Sequence, residues 1–158
     1  RITLIRRPKH ISVINSPLEP VVHHSIENMP FKNNFDFFML LGIETPFKKS
    51  QIIESGINIM HIFDVKTVVG VRPERNLLLN HEGKGMKFFM EQSKYRLERN
   101  ELYKMVPGYL VRDMDSFQKS GSLFGETIGH VVFDQLSAFR IENDLDCSIA
   151  NYLSRNHS

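Results

Sequence analysis

The stretch MLLGIETPFKKSQIIESGINIMHIFDVKTVVGVRP, Met39–Pro73, decides how this chain is read. Just upstream, Phe31, Phe35 and Phe38 lead to Leu41 at helical spacing, so the pattern predicts a helix over Phe31–Leu41 with one apolar face. Gly42 is a natural stop, because glycine accepts the positive φ of a helix end. Phe47–Glu54 reads as an extended segment. Ser55 then offers an N-cap for a second helix over Gly56–Lys66, with Ile59, Ile62 and Phe63 as a partial stripe. Val68–Val71 predicts a short buried strand that Pro73 ends.

Outward from this stretch, Ile2–Arg7 reads as a first strand and Ile11–Ile14 as a second small one. Pro8, Pro17, Pro20 and Pro30 argue for a long ordered loop or insertion rather than a helix. Strand–helix–strand–helix–strand is then complete by residue 73. Beyond it, Lys87–Met105 predicts a helix with Glu91, Lys94, Glu98 and Glu101 on a solvated face, stopped by Pro107 and Gly108. Gly121, Gly125 and Gly129 mark loops. Thr127–Phe139 fits a strand or a helix. Asp144 is placed to cap a last helix carrying Leu145, Ile149, Tyr152 and Leu153.

The composition fits a folded chain: 158 residues, 41% hydrophobic and 24% charged, with twelve Phe and no Trp. The net charge of +2 is a weak footprint for nucleic-acid binding and neither demands nor excludes it. The charge is uneven. Residues 1–30 hold four Lys/Arg against two Glu, whereas residues 113–158 hold three against seven acids. A basic head and an acidic tail suit a protein that touches RNA at one end and protein at the other, and ordinary surface variation gives the same count. The single cysteine, Cys147, excludes an intrachain disulfide framework and points to a reducing compartment. The longest apolar run, Phe35–Ile43, is broken by Asp36 and Gly42, so no membrane span is expected. A start at Arg1 fits a cleaved targeting peptide and equally a truncated end.

Several of these residues resemble the bacterial-type family of large-subunit ribosomal protein thirty. Leu41-Gly42-Ile43 stands where that family has a helix ending in Leu-Gly-Leu, and Glu44–Glu54 has its strand length without a gap. Ser55-Gly56 replaces its usual Thr-Pro. Val65-Lys66-Thr67-Val68-Val69-Gly70-Val71 is similar to its last strand, Arg72-Pro73 continues as in mitochondrial members, and the opening ITLIRRPK is similar to its first strand and turn. The departures are some twenty extra residues before the first helix, Ile59-Met60 in place of an Arg-Gly pair, Asp64 in place of a Lys, and the tail after Pro73.

The resemblance implies an α+β core over 1–73, with an insertion at about 8–30: β-α-β-α-β, a three-stranded, mainly antiparallel sheet and two helices on one face. A mostly helical C-terminal extension, 74–158, follows. It implies a structural constituent of a mitochondrial large ribosomal subunit, in the matrix, whose partners are rRNA and neighbouring ribosomal proteins. No enzyme activity, catalytic residue, cofactor, metal, membrane or small-molecule substrate is expected.

Cations neutralise phosphates in such a role. Arg6, Arg7, Lys9 and His10 form the first candidate cluster, Lys32, Lys48 and Lys49 the second, and Arg72 and Arg75 the third. Each also reads as a solvated edge. Lys84, Lys87, Lys94, Arg96 and Arg99 are interspersed with acids and read as a solvated face. Phe31, Phe35, Phe37 and Phe38 read as core rather than a stacking platform. His23-His24 with His10 or Cys147 matches no zinc spacing, and Asp113 with Asp115 lacks further ligands. The rival readings are a stand-alone protein-interaction or viral structural module and, more weakly, a metal-dependent nuclease-like enzyme.

Overall fold

The computed structural model describes residues 2–14, 16–30, 35–76, 78–81, 83–89 and 102–156. Its centre is a four-stranded sheet in the order β1-β5-β2-β6, formed by β1 (Phe37–Leu41), β5 (Leu102–Asp113), β2 (Thr67–Glu74) and β6 (Ile128–Val132). β5 runs antiparallel to both β1 and β2, and β6 runs parallel to β2. β1, β2 and β6 therefore point one way, with β5 reversed between β1 and β2. A separate antiparallel pair, β3 (Leu79–His81) and β4 (Met86–Phe88), branches off between β2 and β5.

Two apolar layers cover the sheet. On one face, α2 (Ser50–Phe63) packs Ile52, Ile53, Ile59 and Met60 against Val68, Val111, Val131 and Phe133. On the other, α1 (Glu19–Glu27) brings Val22 and Ile26, and α3 (Met114–Ser120) brings Phe117, against Val69, Val71 and Leu110. Alternation along β2 thus sends Val68 to one layer and Val69 to the other. Phe117 is fully buried, stacked on His23 at 4.4 Å and edge-on to Phe38 at 5.1 Å. Buried Arg112 stitches the far end of the sheet. It donates to the carbonyls of Ser122 (3.1 Å) and Lys66 (2.9 Å) and to the hydroxyls of Thr67 and Ser120 (3.2 Å each). Burial lowers its affinity for its proton, and Asp113 beside it opposes the effect.

The α+β class expected from the sequence stands, but the arrangement differs from a three-stranded, mainly antiparallel sheet with helices on one face. The sheet is four-stranded and mixed, with helices on both faces. Phe37–Leu41 is a strand, not the end of a helix: both faces of β1 are covered, and a strand covered twice reads as a continuous apolar run. Phe31–Asn34 lie outside the described residues. α2 begins at Ser50, inside the stretch read as extended, and Gly56 is interior to it rather than its first residue. α1 lies within the proline-rich stretch, because Pro20 occupies the first turn, where no N–H is needed. Ile2–Arg7 belongs to neither sheet, and Lys9–Ile11 is a 3₁₀ turn rather than the start of a strand. Of the helix expected over Lys87–Met105, its first residues belong to β4 and its last to β5, and 90–101 lie outside the described residues. α4 (Asp144–Asn156) is found where expected, although Asn143 caps it, its side chain accepting from the Asp146 amide at 3.0 Å. The boundary placed after residue 73 falls within β2, whose two sheet neighbours both come from the C-terminal part.

Candidate functional site

In open sheets with parallel strands, ligands bind outside the carboxyl ends of those strands. Here the carboxyl ends of β1, β2 and β6 and the amino end of β5 share one rim. The loop after β1, residues 42–49, and the loop after β6, residues 133–143, form its walls.

The first loop is held from below by backbone contact. The Gly42 amide donates to the Gly108 carbonyl at 2.9 Å. Gly108 has φ +73°, and a Cβ there would lie 2.8 Å from Gly42 Cα, so only glycine fits. Thr45 is buried, and Lys48 curls back onto the same loop, donating to the carbonyls of Gly42 (2.8 Å) and Thr45 (2.6 Å) and to the Thr45 hydroxyl. Burial pushes the Lys48 ammonium below its ordinary pKa, partly opposed by Glu44.

The two loops are laced together. The Ile141 amide donates to the Glu44 carbonyl at 2.8 Å, Lys49 pairs with Asp134 at 3.2 Å, and the rings of Phe47 and Phe139 meet at 6.1 Å. Asp134 also accepts from the Ser137 amide at 2.7 Å. That backbone hydrogen bond, opposed by burial and aided by Lys49, holds the carboxyl below its ordinary pKa. The Ser137 hydroxyl is fully buried and has no hydrogen-bond partner among the described residues. Arg140 pairs with Glu142 at 2.8 Å on the outer side of the second loop.

The sheet contributes its own charges. Arg72 on β2 stands directly opposite Lys104 on β5, so both side chains emerge on one face. Both are exposed, and neither forms an ion pair among the described residues. On the other face, Tyr103 and His130 approach to 5.5 Å between ring centroids.

Of the cations singled out in the sequence, Lys48, Lys49 and Arg72 come to this rim, and Arg75 lies exposed just past β2. Lys48 is turned inward. Arg6, Arg7, Lys9 and His10 are exposed on the N-terminal limb, which is tied to α1 where His24 Nε2 donates to the Arg6 carbonyl at 3.1 Å. Lys32 is outside the described residues. Asp113 caps α3, accepting from the Ser116 amide at 2.8 Å. Sequence reasoning missed Lys104, which it assigned to a helix end, and Asp134, which carries no local signal.

The fold is a mixed sheet covered on both faces, with the loops of its parallel strands gathered at one rim. Two solved structures share it. One is 4-diphosphocytidyl-2C-methyl-D-erythritol synthase from Anaerococcus prevotii, with a TM-score of 0.63 and 12% identity over 89% of this chain and 65% of that one. The other is 2-C-methyl-D-erythritol 4-phosphate cytidylyltransferase from Thermus thermophilus, with a TM-score of 0.56 and 14% identity over 96% and 78%. The chain thus spans a little under two thirds of the length of the first. No protein-family model and no curated protein matches the chain.

These likenesses correct the ribosomal reading. The chain has the fold of two cytidylyltransferases rather than that of the large-subunit ribosomal family, so the rRNA-binding structural role and the ribosomal partners lose their support. The expectations of no enzyme and no small-molecule substrate are corrected with them, because both neighbours are enzymes named for a small-molecule reaction. The physical source of the error is β1. Once Phe37–Leu41 is a strand, the helix that anchored the ribosomal spacing is gone. The expected mitochondrial location is untouched by the fold.

Proposed function

We propose that the chain belongs to a nucleotidyltransferase that binds a nucleoside triphosphate at the carboxyl rim and transfers its nucleotidyl group to an acceptor, with cytidine as the first base to test. The observation that carries this reading is the pair of loops, 42–49 and 133–143, laced by the Ile141–Glu44 hydrogen bond and the Lys49–Asp134 pair at the carboxyl ends of parallel strands, in a fold shared with two cytidylyltransferases. An acceptor oxygen attacks the α-phosphorus, its bond to the bridging oxygen of the β-phosphate breaks, and pyrophosphate leaves. Such chemistry needs little covalent help from protein. It needs fixed cations where charge accumulates and rigid walls that align the reactants. Lys49 and Arg72 are the rim cations nearest that task, and the lacing supplies the rigidity.

The test is a binding titration of the four common ribonucleoside triphosphates in magnesium buffer, read by calorimetry and by thermal shift. CTP is expected to bind and to raise Tm. Asp134→Asn, which removes the Lys49 ion pair from that lacing, is expected to weaken it about tenfold. If none of the four nucleotides binds, the proposal fails.

A further inference from the structure

We infer that the outward face of α4 (Asp144–Asn156) is a docking surface for a second copy of this chain, whose own α4 lies antiparallel on it. Leu145, Ile149 and Tyr152 recur at intervals of four and three, so they share one face of the helix. The helix turns another side to the body, where Ala150 is buried. Leu145 and Tyr152 are instead 69% and 68% exposed. Scattered apolar side chains on a surface are ordinary, but a stripe at this spacing is the seam along which helices pair.

The charges beside the stripe select the occupant. Asp144 directly precedes Leu145, and Arg155 lies eleven residues further on, about 20° short of three full turns. They therefore line the same flank of the stripe, an acid in the first turn and a base in the last. A two-fold axis perpendicular to two antiparallel helices brings the same flank of each together with the ends exchanged. Asp144 then faces the second copy's Arg155, Arg155 faces the second copy's Asp144, and Ile149, midway between them, sits beside the axis. Neither side chain forms an ion pair among the described residues. The opposed helix dipoles add to the attraction. A membrane surface does not suit this face, because α4 carries one cation, Arg155, against Asp144 and Asp146. Asn143 caps α4, and the Glu142 amide donates to Asp146 at 2.9 Å, so the helix continues directly from the loop 133–143. A copy seated on α4 thus stands beside the rim, whatever the rim binds.

The experiment is sedimentation velocity of the purified chain across about two decades of concentration in the micromolar range, where small interfaces of this kind associate. The unaltered chain is expected to pass from monomer to dimer. Leu145→Ser combined with Tyr152→Ser is expected to weaken the dimer at least about tenfold without lowering Tm, because both side chains face water. Asp144→Lys and Arg155→Glu are each expected to remain monomeric, since each sets like charges opposite one another. Mixed in equal amounts, these two variants are expected to associate, because each supplies the charge that the other lacks. Both changes in one chain are expected to restore the dimer to within about threefold of the original. Each change opposes the dipole of its own helix, so charges that serve α4 alone predict that the doubly reversed chain is the worst of the set. That result overturns the inference. A chain that stays monomeric throughout, or a dimer indifferent to the charge reversals, overturns it as well.

Discussion

Gly56 lies inside α2 where the helix crosses β5, and the consequence of giving it a side chain can be worked out atom by atom. A Cβ at Gly56 would lie 2.0 Å from Tyr109 Oη, 3.0 Å from its Cζ and 3.0 Å from Val111 Cγ2. The hydroxyl cannot retreat freely. It donates to the Ile52 carbonyl at 2.8 Å, and its ring is buried edge-on against Phe133 at 5.1 Å. Overpacking of this kind costs about 1–3 kcal/mol, and a displaced buried hydroxyl about 1–3 more. Alanine's better helix propensity returns about 1 kcal/mol. Gly56→Ala should therefore destabilise the chain by about 1–5 kcal/mol, centred on about 3. Tyr109→Phe alone should cost about 1 kcal/mol, the net value of one hydrogen bond. In the Phe background the worst overlap is gone, so Gly56→Ala should cost less than about 1 kcal/mol there, a coupling of at least about 1–2 kcal/mol. Urea unfolding followed by far-ultraviolet circular dichroism measures all four corners of the cycle. Equal costs of Gly56→Ala in both backgrounds would falsify the assignment of the hydroxyl as the obstacle. The same burial pushes the Tyr109 phenol up to about 12 from 10.0, with the Gly56 amide opposing the shift. Because the neutral form is favoured in the fold, this contribution is full below pH 10 and is lost as the pH rises from about 10 through 12. Phenolate absorbance titrated on the folded chain should show a late-ionising tyrosine that Tyr109→Phe removes.

Gly108→Ala meets two obstacles at once, a φ of +73° and a contact of 2.8 Å with Gly42 Cα, and should cost about 3 kcal/mol in urea unfolding and weaken rim ligands as well; a change under about 1 kcal/mol would refute the close approach. Arg112→Met strips four hydrogen bonds from the far end of the sheet and leaves buried acceptors unpaired, so a loss of about 3 kcal/mol is expected, and a neutral result would show that the guanidinium is not needed there. Asp134 has a folded pKa below its ordinary 3.8, so its link to Lys49 and Ser137 is intact above that value and is lost as the pH falls through the lower, folded value. The stability difference between the unaltered chain and Asp134→Asn should accordingly shrink only below about pH 4; a difference that fades instead between about pH 5 and 7 would point to another group.

The elements that were legible in the sequence are those whose local pattern and tertiary setting agree. Val68-Val69-Gly70-Val71 reads as a buried strand and becomes β2, the strand flanked by β5 and β6. Leu145, Ile149 and Tyr152 recur at helical spacing and fall in α4. β1 was illegible because Phe35, Phe38 and Leu41 satisfy a helical period within a run that is apolar for a different reason, coverage on both faces. α2 was read late because a glycine at its centre resembles a boundary. Gly56 is there for Tyr109, a residue far away in sequence, and no local rule announces that contact. The rim follows the same division. Lys49 and Arg72 could be marked as cations, but the opposition of Arg72 and Lys104 exists only through the β2–β5 register. The ribosomal resemblance failed at the same point: it matched spacing across Met39–Pro73 while assigning a helix to the strand that fixes the topology.

The register of that pairing also explains why the rim takes its form. On β2, Val69 and Val71 are separated by one residue, yet their partners on β5 are Leu110 and Met105, so β5 bulges through Val106, Pro107, Gly108 and Tyr109. Bulges re-aim side chains and bend strands, and they are common beside functional sites. This one has three consequences at once. Val106 and Tyr109 are both turned into the α2 layer, where the Tyr109 hydroxyl reaches Ile52. Gly108 is pressed onto Gly42 and sets the height of the loop that carries Lys48 and Lys49. Beyond the bulge, β5 resumes pairing in a register that puts Lys104 opposite Arg72. The seat of the first loop and the opposed cations therefore share a structural cause, the irregularity in β5. That dependence ties the Arg72–Lys104 opposition to the rim more closely than position on the same edge alone would do.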